Sequence, residues 1–300
     1  MKRSATLALL SAGLLATLCA GQAVAQSLLM RDLPSGETRF DLGFTHPHFK
    51  QDARLSTLSG VYELAFDAPL SARLNLIGRL PIMRFTFGED QRETGFGNIY
   101  VGVQTRPEPE APRALSLAFG IYAPTLDRDK PELGAHGWIT NPYQIEETIT
   151  DCVALRIDAA QRYSYANGAF VGWEYATSML FPVHRNRWAI SDTPPANGAT
   201  PVEDFRNNIG VHLHGGVGAG LRGQRLTLLA ECATEYWATA RGGTPAPNRF
   251  YPVVAVGAEY RTFWVRPTVY YMFQLDDHLS ARTNASIGLK VELLPFGAAL

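Results

Sequence analysis

From residue 38 onward this chain alternates apolar and polar residues, and away from the ends of the runs the apolar side of that alternation carries no charge. A period of two is the signature of a β-strand whose two faces meet different media. Reading by that period gives twelve segments: 38–45, 59–68, 72–83, 97–106, 113–123, 151–162, 168–181, 206–221, 224–237, 250–261, 263–274 and 284–293. They cover about half the chain, well above the ~20–25% strand of an ordinary domain. Helical stripes are absent, so the fold class read here is all-β.

One face holds residues such as Phe40, Leu42 and Phe44, Leu115, Leu117, Phe119 and Ile121, and Ile287, Leu289 and Val291. The other holds eleven cations and nine anions mixed with Gly, Ser, Asn and Tyr. A soluble sandwich would alternate in the same way. The connections separate the two. Those at 46–58, 84–96, 124–150, 182–205, 238–249 and 275–283 are long, whereas Pro69–Ser71, Pro107–Pro112, Tyr163–Asn167, Arg222–Gly223 and the vicinity of Thr262 are tight. Long outer loops, short periplasmic turns and an even number of strands are what a closed antiparallel transmembrane β-barrel requires. Closure follows because lipid offers no partner to an open strand edge.

The N-terminus fits export. Lys2 and Arg3 precede an apolar stretch from Ala5 to Ala20, and Ala23-Val24-Ala25 supplies small residues for cleavage before Gln26. Leu18 before Cys19 is too bulky for a lipoprotein site. The expected organisation is a signal peptide at 1–25, a periplasmic segment at 26–37, the barrel at 38–293 and a periplasmic tail at 294–300. Net charge is −1, and the 23 arginines and 4 lysines are scattered singly, so nucleic acid is not an expected partner. Beyond residue 25 no apolar run reaches the ~18 residues of a membrane helix. Cys152 and Cys232 fall on opposite faces and are expected to be free thiols. Aromatics near strand ends, Phe66, Tyr122, Phe181, Tyr236, Trp237, Tyr260, Phe263, Trp264 and Phe273, suit an interface belt.

The final strand, Ser286 to Leu293, resembles the polar-x-Gly-x-x-apolar-x-apolar signature of bacterial outer-membrane barrels, with Leu293 where Phe is usual. Leu33-Pro34-Ser35-Gly36-Glu37, Leu80-Pro81-Ile82 and Gly95 to Val103 resemble landmarks of the phenol meta-pathway transporter-like family of channel-like barrels. That resemblance implies an outer-membrane location and a channel or uptake role, with outer-membrane lipid, a small solute and the barrel-assembly machinery as partners.

The candidate lumen-lining residues are Arg73, Arg79, Arg156, Asp158, Arg162, Glu174, His212, His214, Glu231, Glu235, Glu259, Arg266 and Lys290. With a two-residue turn at Arg222–Gly223, His214 would face Glu231, and the His-x-His pair plus a carboxylate could bind a metal or relay a proton. A hydrogen-bonded lumen pair is the plainer reading; no metal or cofactor is expected. Asp67 would face Arg73, and Glu259 would lie opposite or diagonal to Arg266. Nearly balanced charge predicts mutual pairing rather than strong ion selectivity. His46-Pro47-His48 and Asp127 to Lys130 are expected in solvated loops. A barrel this narrow can be filled from within, with 124–150 and 182–205 as gates or plugs. The expected function is passive uptake of a small, apolar or aromatic molecule. The alternatives are a structural or assembly-related barrel without flux and a lipid-modifying enzyme. The His-x-Ser arrangement of barrel esterases is missing at His212-Leu213-His214-Gly215, so no enzyme is expected.

Overall fold

The structure, a computed structural model, describes residues 27–30, 32–34, 37–50, 56–87, 91–107, 113–183, 209–239, 250–262, 264–276, 279–280 and 283–294. The expected signal peptide, most of 182–205 and the tail beyond Leu294 lie outside these residues, as do Arg206 and Phe263. The strands are β1 (Arg39–Phe49), β2 (Gly60–Pro69), β3 (Leu74–Phe87), β4 (Gln91–Phe96), β5 (Ile99–Thr105), β6 (Arg113–Ala123), β7 (Cys152–Ser164), β8 (Ala169–Pro182), β9 (Gly210–Arg222), β10 (Leu226–Trp237), β11 (Phe250–Tyr260), β12 (Val265–Gln274) and β13 (Thr283–Leu293). Each is antiparallel to its neighbours, and β1 pairs with both β2 and β13, closing the sheet. Both β4 and β5 pair with β3, one above the other, so thirteen strands make a twelve-staved closed barrel.

Ten of the twelve expected segments match to within a few residues at both ends; β1 and β3 run on to Phe49 and Phe87, farther than read. The long connection 84–96 is instead mostly strand: β3 and β4 project as a hairpin above the barrel. The run Gln91-Arg92-Glu93-Thr94-Gly95-Phe96 shows no alternation because its hairpin stands above the lipid-facing band. His46 to His48 belong to β1, and His46 Nδ1 lies 2.7 Å from the Ser59 carbonyl.

The outward face is apolar as read. Ile157 is 56% exposed, and Phe40, Leu117, Phe119, Val217, Val269 and Ile287 are exposed with it, a band that hydrocarbon covers without loss. Tyr260, Trp264 and Phe273 also face outward, whereas Tyr122 and Trp237 turn into the lumen and are buried, so these two are not belt residues. Large rings facing glycines smooth the wall. Phe66 opposes Gly78, Phe170 opposes Gly220 and Tyr270 opposes Gly288, and a Cβ on any of these glycines would fall within 2.2 Å of the facing ring. Cys152 is buried and Cys232 exposed, and neither is in a disulfide.

Two registers differ from those expected, and a third resolves to one of its two expected arrangements. Three residues, 223–225, separate β9 from β10, with Arg222 paired to Thr227 and the Gly223 N–H donating to the Leu226 carbonyl. His214 therefore faces Glu235, while Glu231 faces Gly218. At the β2–β3 turn Asp67 faces Ile77; Arg73 sits exposed in the turn and lines no lumen. Glu259 faces Thr268, so Arg266 lies diagonal to it, one of the two expected arrangements, and pairs with Glu292. A two- or three-residue guess at a turn displaces every cross-strand pair beyond it, which is why the faces were read correctly and these pairs were not.

Candidate functional site

A twelve-stranded wall encloses more space than its own inward side chains fill, and the lumen is occupied by two segments entering from opposite ends. From the outer side comes the loop 124–150. It contains a helix, α1 (Pro131–Thr140), and a 3-10 turn at Ile145–Glu147. The sequence Pro-Glu-Leu-Gly-Ala-His-Gly-Trp-Ile-Thr shows no helical stripe because α1 is buried on most sides: Leu133, Ala135, Trp138 and Ile139 are all inaccessible. Trp138 packs against Tyr251 edge-on at 5.0 Å and against Trp237 at 5.6 Å.

Below the helix this outer plug is held by charge. Arg156, on β7, reaches Asp158 at 2.7 Å, Glu174 on β8 at 3.2 Å and Glu146 of the plug at 3.4 Å. Glu146 also meets His214 Nε2 at 2.7 Å. Burial alone would raise the Glu146 carboxyl, but His214 and Arg156 outweigh it and hold it well below the usual range. Its neighbour Glu147 goes the other way. Burial, reinforced by Glu63, raises it well above the ordinary value although Arg79 lies 3.9 Å away. Adjacent glutamates are thus pushed in opposite directions, Glu146 toward its ionised form and Glu147 toward its neutral one.

The break between β4 and β5 docks the plug. Asn98 donates its side-chain amide to the Glu146 carbonyl at 2.8 Å and the Ile149 carbonyl at 2.5 Å, and its Oδ1 accepts from Leu126 N–H at 3.0 Å. A Cβ at Gly97 would lie 2.4 Å from the Glu147 carbonyl, so glycine is needed for this approach.

From the periplasmic side enters the N-terminal segment. Residues 27–30 and 32–34 lie inside the barrel rather than below it, a correction to the periplasmic position expected for 26–37. The N–H groups of Leu28, Leu29 and Met30 converge on Glu231 Oε2 at 3.1, 2.7 and 3.2 Å. Asp32 pairs with Lys290 and its carbonyl accepts from Gln104 at 3.1 Å; the Ser27 hydroxyl accepts from Arg162 at 3.3 Å. Burial would raise the Asp32 carboxyl, but Lys290 and Arg39 outweigh that and lower it. Leu29 shares one buried apolar cluster with Ala233, Val253, Ala255 and Met272 and with Tyr143 of the outer plug, so the two inserts contribute to a common core within the lumen. Met30 takes the space left by Gly216 and Gly218.

Of the residues singled out from sequence, Arg79, Arg156, Asp158, Arg162, Glu174, His212, His214, Glu231, Glu235, Glu259, Arg266 and Lys290 all project inward; Arg73 does not. The structure joins Arg156, Asp158, Glu174 and His214 around Glu146, and places His212 Nδ1 3.2 Å from Glu235. It separates the two histidines from Glu231, which dissolves the His-x-His plus carboxylate set. No group of three or more metal-ligating side chains occurs among the described residues. Glu146, Asn98, Tyr143 and Asp32 escaped the sequence reading because they sit in loops or at a strand break, where no period marks their direction. The Leu-Leu-Met run at 28–30 and the glycines of β9 were the available signals.

No known family and no curated protein matches this chain. Solved structures do. The chain is similar to an outer-membrane channel from Pseudomonas putida F1 at 14% identity and a TM-score of 0.60, covering 91% of this chain and all of that one. It also matches the translocator domain of the autotransporter NalP from Neisseria meningitidis at 11% identity and TM-score 0.48, over 87% and 90% of the two chains. The KdgM porin matches at 9% identity and TM-score 0.45, over 84% and 98%. At these identities the likeness is one of fold. Together with the closed antiparallel sheet and its apolar outer band, the first of these likenesses defines the chain as an outer-membrane β-barrel.

Proposed function

We propose that this barrel is a plugged channel, passing a small molecule passively across the outer membrane when its inserts move. The observation that carries this reading is that the lumen is filled by segments that are not part of the wall. A purely structural barrel gains nothing from enclosing a twelve-staved space and then occupying it with removable chain. The plugs differ in hold, and the N-terminal one is fixed to the wall mainly through one carboxylate and one Lys–Asp pair, which makes it the moving part. The solute is apolar or aromatic: Trp138, Trp237 and Tyr251 crowd the outer half of the lumen, while paired charges elsewhere leave little net field to select ions. Outer-membrane lipid surrounds the barrel, and the barrel-assembly machinery inserts it.

Planar-bilayer recordings of the purified chain test the reading. Wild type should be closed or flicker rarely, and Glu231→Ala, which removes the acceptor of three N–H groups, should open steadily. A variant whose N-terminal segment is demonstrably loosened and which still passes neither ions nor small solutes in vesicle swelling would overturn it.

A further inference from the structure

The seat of the N-terminal segment has the chemistry of a ligand site. Glu231 is 4% exposed, yet no arginine or lysine among the described residues lies within ion-pair distance of it. Its Oε2 is satisfied by three neutral backbone N–H groups of one tripeptide. The cation whose charge reaches Glu231 is Arg162, which acts on it through space and donates to the Ser27 hydroxyl at 3.3 Å; Lys290 pairs with Asp32 and Arg266 with Glu292. A buried carboxylate costs several kcal/mol to desolvate, and amide dipoles offset that less well than a full positive charge. Immediately beside it lies the apolar slot that receives Leu29, walled by Ala233, Val253, Ala255 and Met272. A negative group at the edge of a small apolar slot matches a positive head on an apolar tail. The Leu28-Leu29-Met30 stretch satisfies the same pattern with N–H groups in place of the head and leucine in place of the tail.

We propose that this seat is the solute-binding site of the channel, that its solute is a small apolar molecule carrying a protonated amine, and that the N-terminal segment is its built-in competitor. The proposal rests on the plugged-channel reading for its purpose, though not for its test. An arriving ammonium donates to Glu231 and supplies the charge the tripeptide lacks; its tail displaces Leu29, and the freed segment withdraws to the periplasm, where water satisfies its N–H groups.

The test uses the full chain in micelles with Cys19→Ser, Cys152→Ser, Cys232→Ser and Ser27→Cys, so that a water-soluble maleimide reports exposure of the segment. Hexylammonium should accelerate labelling about fivefold or more and in a saturable manner, whereas hexanoate of the same tail length should not. Glu231→Gln, which keeps shape and an acceptor oxygen but loses the charge, should remove the response to hexylammonium, with heat-modifiable gel migration reporting that the barrel is closed. Equal effects of amine and carboxylate, or no effect of either on a closed barrel, would overturn the site. Bilayer recordings separate the two claims. A protein that responds to hexylammonium and never conducts keeps the site and loses the channel; one that conducts without distinguishing amine from carboxylate does the reverse.

Discussion

The outer plug and the N-terminal segment fill one lumen by opposite means. The outer plug is tied at both ends to strands, buries the full side chains of Trp138, Leu133, Ile145 and Ile149, and ends in an ionic cluster spanning Arg156, Asp158, Glu174, Glu146 and His214. The N-terminal segment is tied to the wall at its C-terminal end through β1 and is held inside by three backbone N–H groups on one carboxylate, a single Lys290–Asp32 pair and the Leu29 side chain. Interlocking buried charges are expensive to separate, because removing one partner strands the others in a dry place. Backbone N–H groups exchange a carboxylate for water at little net cost once they leave. The first arrangement is architecture and the second is a latch.

Breaking the architecture should cost most. Arg156→Ala leaves three carboxylates around an empty centre and should lose about 3–5 kcal/mol in urea unfolding of the refolded barrel, with the outer plug released. A loss below about 1 kcal/mol would mean that the cluster is already hydrated. Glu146→Gln comes next at about 2–3 kcal/mol, because it uncouples His214 and Arg156 together. By contrast Glu231→Ala should leave global unfolding within about 1–2 kcal/mol of wild type while freeing the segment, read as faster proteolysis of its first residues. The smallest effect is expected at Glu147→Gln, within about 0.5 kcal/mol, since burial already favours the neutral form of this carboxyl and the amide matches that form in shape.

Acidity sharpens the contrast within the outer plug itself. The lowered Glu146 contributes stability that is complete above the ordinary glutamate value of 4.5 and declines as pH falls below it toward its folded value. The raised Glu147 acts with opposite sign: its contribution is complete below 4.5 and is lost as pH rises toward its own folded value. Stability measured against pH should therefore fall on the acid side in wild type and show a smaller acid limb in Glu146→Gln, with the share owed to the lowered Asp32 remaining. Glu147→Gln should instead flatten the alkaline decline. An acid limb of unchanged size in Glu146→Gln would assign it to another group.

The wall was legible in the sequence and the contents of the lumen were not, for the same reason. Lipid on one side and a polar interior on the other force a residue such as Ile157 outward and Arg156 inward, and that constraint writes a period of two into every stave. Nothing comparable acts on α1, whose surroundings are protein on nearly every side, or on Leu28 to Met30, whose direction is set by a carboxylate two hundred residues away. Loop 124–150 was recognisable as a plug from its length, but Glu146 within it was not. The register errors at His214 and Asp67 come from turns, where one or two residues more or less satisfy the same glycine and proline signals.

The start of β1 at Arg39, anchored by its 2.7 Å pair with Asp67, fixes the point from which the N-terminal segment hangs. The stretch from Ser27 to that anchor is a leash of about 40 Å when fully drawn out, so a withdrawn segment never escapes its own doorway. Such a leash holds the segment at an effective concentration on the order of millimolar. Any molecule that props the doorway open must outbid that standing concentration, and once it has passed, the doorway shuts without a second signal.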